Sequence, residues 1–137
     1  MAIEPVRQPL RLKLKPKAPT SGYVDGAWWP RSRSLSAELP ALLAVLAVRL
    51  GRIHRVSYNL SAWDDTPRRI YVDRQLVRLG GFHSRHTQTV DVLGLNGPCL
   101  TLLVVAPETG RTTAHEVLLR AGRRGNIERI NELLTPV

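Results

Sequence analysis

Leu39-Pro40-Ala41-Leu42-Leu43-Ala44-Val45-Leu46-Ala47-Val48-Arg49-Leu50-Gly51 is followed, after Arg52, by Ile53-His54-Arg55-Val56-Ser57-Tyr58-Asn59-Leu60-Ser61. In the first segment Leu39, Leu42, Leu43, Leu46 and Leu50 recur at the spacing of one helical face. Gly51 supplies a stop, and Arg49 and Arg52 fall at the negative end of the helix dipole. Ser34 or Ser36 is the expected N-cap, Glu38 suits the first turn, and Pro40 is tolerated because it falls near the start. In the second segment the period drops to two. His54, Val56, Tyr58 and Leu60 share one face, while Arg55, Ser57, Asn59 and Ser61 share the other. This switch of period predicts a core helix running straight into a half-buried strand.

Outward from that junction the chain reads mostly as strands. Leu10-Arg11-Leu12-Lys13-Leu14-Lys15 alternates leucine with cation, the pattern of an edge strand with lysines outward. Gly22 to Ala27 predicts a second short strand. On the other side, Arg69 to Val72 and Leu76 to Leu79 read as a hairpin turning near Asp73-Arg74-Gln75. Gly80-Gly81 marks a bulge or a close backbone approach. Thr89 to Leu93 and Cys99 to Val105 form a second hairpin around Asn96-Gly97. Thr113 and Glu116 have capping-box spacing ahead of Val117, Leu118 and Ala121. Asn126 is the expected cap of a last short helix carrying Ile127, Ile130, Leu133 and Leu134. The expected class is α+β, an antiparallel sheet of about five to seven strands with one central helix and C-terminal helices packed on one face. Residues 1–9 are expected to form a flexible arm and 10–137 a single domain, its C-terminal helical segment spanning about 112–134.

With 137 residues, 43% of them hydrophobic, the chain is long enough to bury a core. Its longest apolar run, Leu39 to Val48, is far short of the ~20 residues that cross a bilayer. Met1 to Pro9 has no apolar h-region, so no secretory signal is expected. The single cysteine, Cys99, makes no internal disulfide, which suits a reducing, cytoplasmic setting. Twenty basic residues against eleven acidic give a net charge of +9, a field that attracts phosphate backbones and other anions. Seventeen of the twenty are arginine, which biased codon usage also produces.

Seven aromatic residues serve the whole chain, and three fall within Gly22-Tyr23-Val24-Asp25-Gly26-Ala27-Trp28-Trp29-Pro30-Arg31-Ser32. This block resembles the hallmark of a family of short actinobacterial proteins catalogued as a domain of unknown function. Val56-Ser57-Tyr58-Asn59-Leu60 with Ala62-Trp63-Asp64, Val77-Arg78-Leu79-Gly80-Gly81-Phe82, and the Leu100 to Val105 strand are similar to its other blocks. The resemblance covers most of residues 10–107 and weakens after Thr109. It implies a cytoplasmic actinobacterial origin and brings no activity, cofactor or catalytic residue with it.

The candidate site gathers Tyr23, Asp25, Trp28, Trp29, Arg31, Tyr58, Asn59, Trp63, Arg78 and His83, with Arg120, Arg123 and Arg124 as phosphate contacts. Aromatic faces stack on bases, and arginine stacks or forks onto phosphate. Of two adjacent tryptophans on a strand, one ring is expected inward and the other free. The expectation is a non-catalytic basic module that binds an anionic partner such as single-stranded RNA or DNA through arginine and an exposed tryptophan. The alternatives are a small-molecule pocket or enzyme around Asp25, Trp28, Arg31, Tyr58 and Asn59, or a protein-interaction module. Asp25 with Arg31 and Asp64 with Arg68 are expected to pair as local salt bridges. No phosphate-cradling glycine loop or nucleophile motif is present, so no cofactor is expected. His83 and His86 lack a third ligand, so no metal is expected either.

Overall fold

A computed structural model of the chain describes residues 9–16, 24–83, 88–123 and 130–134. The strands are β1 (Leu12–Leu14), β2 (Gly26–Trp28), β3 (Ile53–Asn59), β4 (Arg69–Val72), β5 (Gln75–Phe82), β6 (Thr89–Gly94) and β7 (Cys99–Val104). The helices are α1 (Leu35–Leu50), α2 (Arg111–Ala121) and the short α3 (Ile130–Leu134). All seven strands join one sheet in the order β1-β2-β7-β6-β3-β5-β4. The expected α+β class and strand number hold.

Two details differ from expectation. The sheet is mixed, because β2 runs parallel to β7 and β3 parallel to β5. The helices also cover opposite faces. Leu35, Leu39, Leu42, Leu43, Leu46 and Leu50 of α1 pack with Trp28, Val56, Tyr58, Val77, Leu79, Val90, Val92 and Leu102. Ala27, Trp29, Leu103 and Val105 instead pack with Ala114, Val117, Leu118 and Ala121 of α2 and with Leu133. The physical reason is the period of two: in a strand, neighbours point to opposite faces, so apolar neighbours such as Trp28-Trp29 and Leu102-Leu103 each need cover on both sides.

Local chemistry explains the joints. Ser34 stands at the N-cap of α1 but makes no side-chain cap bond. The free N–H groups of Leu35 and Ser36 instead donate to the Asp65 carboxylate, the first at 2.5 Å, and the Ser36 hydroxyl does the same. Gly51 ends the helix with φ at +71°, a conformation suited to glycine. His54 does not share the inner face with Val56 and Tyr58: the β3–β6 register slips between Ile53 and Arg55, and His54 is exposed. Asp73 and Arg74 both take positive φ, making the tight two-residue turn that joins β4 to β5. Gly80-Gly81 lies in unbroken register with Ser57-Tyr58, so it is a close approach rather than a bulge. α2 begins at Arg111 with Gly110 as N-cap, which puts the Thr113–Glu116 pair inside the helix instead of at its start. Residues 1–8 of the expected 1–9 arm, the Gly22-Tyr23 end of the second strand and the Asn126 cap lie outside the described residues.

Candidate nucleic-acid interface

The tryptophans are structural. Trp28 is 1% exposed and Trp29 6%, each on its own face of the sheet. Trp28 stacks on Trp63 with ring centroids 5.6 Å apart and planes at 25°, and Trp63 is itself buried. The Trp29 indole N–H donates to the Ala106 carbonyl at 3.1 Å. The expectation of one free indole is therefore corrected: with a helix on each face, both inward and outward rings find apolar cover.

The remaining expected residues do not assemble into one pocket. Tyr58 is buried and its hydroxyl donates to the Pro67 carbonyl at 3.0 Å. Burial pushes its phenol above the ordinary range, with the Asp65 carboxylate adding to the rise. Buried Asn59 spans its own turn, accepting from the Ser61 N–H at 2.8 Å and donating to the His83 carbonyl at 3.2 Å. The Asp25 carboxylate accepts from the Thr101 N–H, while the Arg31 guanidinium donates to the Pro9 carbonyl, so the expected Asp25–Arg31 pair is not formed. Nor does Asp64 pair with Arg68; the Asp64 N–H bonds the Arg33 carbonyl, and Arg33 pairs with Glu108 at 2.7 Å. Tyr23 and Arg124 lie outside the described residues, as does His86. Among the described residues no three His, Cys, Asp or Glu side chains cluster to hold a metal.

Arg78 is where the sequence reading and the structure meet. It stands at the centre of β5, with Arg69 of β4 as its partner on one side and Arg55 of β3 on the other. Partners in register point to the same face, so three arginines form a row about 10 Å long across three strands. All three are exposed. None of the three guanidinium groups makes a hydrogen bond or ion pair among the described residues. Like charges set directly opposite one another destabilise a sheet, so this row is a cost to the fold.

Aromatic side chains flank the row. Tyr71, two residues along β4 from Arg69, is 65% exposed. Phe82, four along β5 from Arg78, is 36% exposed. Gly80 lies between Arg78 and Phe82, and an added methyl there would sit 3.0 Å from the Phe82 ring and 3.1 Å from the Arg55 guanidinium. The missing side chain lets ring and guanidinium converge over bare backbone. His83 is exposed just past the end of β5. On β6, Asp91 faces Ser57 in register on the same side of the sheet, and it accepts from the Thr101 hydroxyl of β7 at 2.6 Å. The result is an open sheet face with cations in line, flat rings beside them and a glycine floor.

The sequence reading found Arg78 and His83 but missed Arg55, Arg69, Tyr71 and Phe82. The alternation in β3 did set Arg55 outward. The pairing of β3 with β5, which aligns Arg55 with Arg78, is a parallel non-local contact that no local pattern encodes.

Arg120 and Arg123 lie elsewhere, on a second cationic surface along α2. No helix among the described residues is long and apolar enough to cross a membrane. Comparison with curated proteins and with solved structures found no match. A family profile does match residues 11–121, which extends through α2 and so beyond the blocks that carry the resemblance. The chain belongs to DUF5994, a family of unknown function.

Proposed function

We propose that the protein is a non-catalytic basic module that binds single-stranded nucleic acid, with the open face of β4, β5 and β3 as its platform. The observation that carries this reading is the row Arg69–Arg78–Arg55, in register and without acidic partners among the described residues. A single strand presents phosphates to cations and unstacked bases to flat side chains, and an open sheet serves both at once. Tyr71 and Phe82 take the stacking role that the sequence alone gave to tryptophan. Duplex DNA lacks splayed bases, so it would engage the arginines only. The same proposal assigns the protein to the cytoplasm, where single-stranded RNA is met.

Fluorescence anisotropy of a labelled single-stranded RNA and of a duplex DNA, each at about 50 and about 200 mM salt, tests it. Preferential binding of the single strand that persists at the higher salt is expected. Arg78→Ala should lower the slope of log affinity against log salt by about 0.7. Tyr71→Ala or Phe82→Ala should each cost about 1–3 kcal/mol of binding. If Arg78→Ala, Tyr71→Ala and Phe82→Ala all bind as the parent does, the sheet face is not the platform. Equal, steep loss of both probes with salt would reduce the interaction to charge alone.

A further inference from the structure

We propose that the groove between β1, the Trp29 loop and α2 is a second binding site, for a small amphipathic oxyanion: an apolar body with one carboxylate or phosphate head. The groove encloses about 670 Å³, a size usual for small-molecule sites. One wall is apolar, made by Leu10, Leu118 and the exposed Leu119, with Trp29 behind. The rest of the lining is largely cationic, with Arg11, Arg31 and Arg111 contributing guanidinium groups. The Arg11 guanidinium lies 3.5 Å from the centroid of the Trp29 ring and donates to the Trp29 and Pro30 carbonyls at 2.9 and 3.0 Å. Arg31 donates to the Pro9 carbonyl at 2.7 Å.

These acceptors are neutral, so they fix the two guanidinium groups in place without cancelling their charge. Arg111 makes no hydrogen bond or ion pair among the described residues. The carboxylate that acts on this cluster, Glu38, is already held by the Arg31 N–H at 2.8 Å and the Ser32 hydroxyl at 3.0 Å. Burial, and then the repulsion of Arg31 and Arg111, hold the Arg11 guanidinium below its ordinary value, with Glu38 opposing. A bound oxyanion would supply the missing negative charge, and the fork of Arg111 suits carboxylate or phosphate alike. The leucine wall then takes the body of the ligand. This site lies at the β1 edge, across the sheet from the β4 edge that carries Arg69, and does not depend on the nucleic-acid reading.

The test is titration of the full chain with 8-anilinonaphthalene-1-sulfonate, an apolar body with one oxyanion head, followed by competition with octanoate and with phenyl phosphate. Saturable fluorescence enhancement is expected, displaced by at least one competitor, and the more effective of the two identifies the head group. Arg111→Glu should weaken binding about tenfold or more, since a hydrogen bond to a charged group is lost. Arg78→Ala should leave it unchanged. A near-UV circular dichroism spectrum matching the parent shows that each variant is folded. Non-saturable enhancement, no displacement by either competitor, or equal affinity in Arg111→Glu and the parent would overturn the proposal. A lowered salt slope for RNA binding in Arg78→Ala with this titration intact separates the two sites.

Discussion

Asp65 anchors the start of α1 from thirty residues away in sequence. It lies where two free N–H groups and the positive end of the helix dipole converge, which is where a carboxylate is most stabilised. Burial raises its pKa, but the bonds from Ser36 and Leu35 outweigh that and leave the carboxyl below the usual aspartate value. The sign follows. A depressed folded pKa contributes stability above the unfolded value, and that contribution disappears as pH falls through the folded one. Asp65→Ala should therefore cost about 1 kcal/mol near neutral pH. The gap from the parent should narrow below about pH 4, where the unfolded carboxyl protonates. Urea denaturation of both proteins at about pH 7 and about pH 3 measures it; an equal gap at both would show that the carboxylate charge is not what holds the helix.

Among the elements, β1 is the most dependent on a single residue. It crosses β2 so closely at Gly26 that a Cβ there would sit 2.2 Å from the Lys13 carbonyl oxygen and 2.9 Å from the Leu14 Cα. Backbone cannot swing aside as a side chain can, so Gly26→Ala must separate the strands. The expected loss is about 1–3 kcal/mol, typical of overpacking. Hydrogen exchange locates the damage: the N–H groups of Lys15 and Trp29, bonded across this pair to Asp25 and Arg11, should lose protection, while those of β3 and β5 keep theirs. Uniform loss across the sheet would mean that β1 does not open by itself. At this scale the sequence was readable where a pattern was local. The leucines of α1, the alternation of Leu10 to Leu14 and the two hairpins announced themselves through period and turn residues, but Lys15, expected outward, is 4% exposed, its N–H bonded to the Asp25 carbonyl. The parallel pairs were not announced. They join β2 to β7 and β3 to β5 across intervening chain, and no turn encodes that choice. The capping of α1 was missed for the same reason, since Asp65 reaches it only after β3 is in place.

At the scale of the whole molecule, two groups of arginines lie toward opposite edges of the sheet. Arg55, Arg69 and Arg78 lie near the β4 edge, while Arg11, Arg31 and Arg111 lie near the β1 edge. Composition raised the expectation of an anionic partner but could not say where one would sit, because a count of arginines carries no geometry. Trp28 and Trp29 were conspicuous in the sequence for a reason that proved to be architectural. Area was the cause: each ring is large enough to fill a core, and each face had a core to fill.

That adjacency has a mechanical outcome. Trp28 and Trp29, adjacent in the chain, belong one to each of the two hydrophobic clusters. Neither layer can loosen without dragging on the backbone that fixes its opposite, so α1 and α2, though they never share a face, belong to one cooperative unit. Heating should therefore give coincident transitions by tryptophan fluorescence and by far-ultraviolet circular dichroism, the signature of two-state unfolding. Trp63→Ala, which strips the stacking partner from Trp28 on the α1 side, should lower both midpoints together. Two separated transitions would show instead that the paired indoles are neighbours in sequence and strangers in energy.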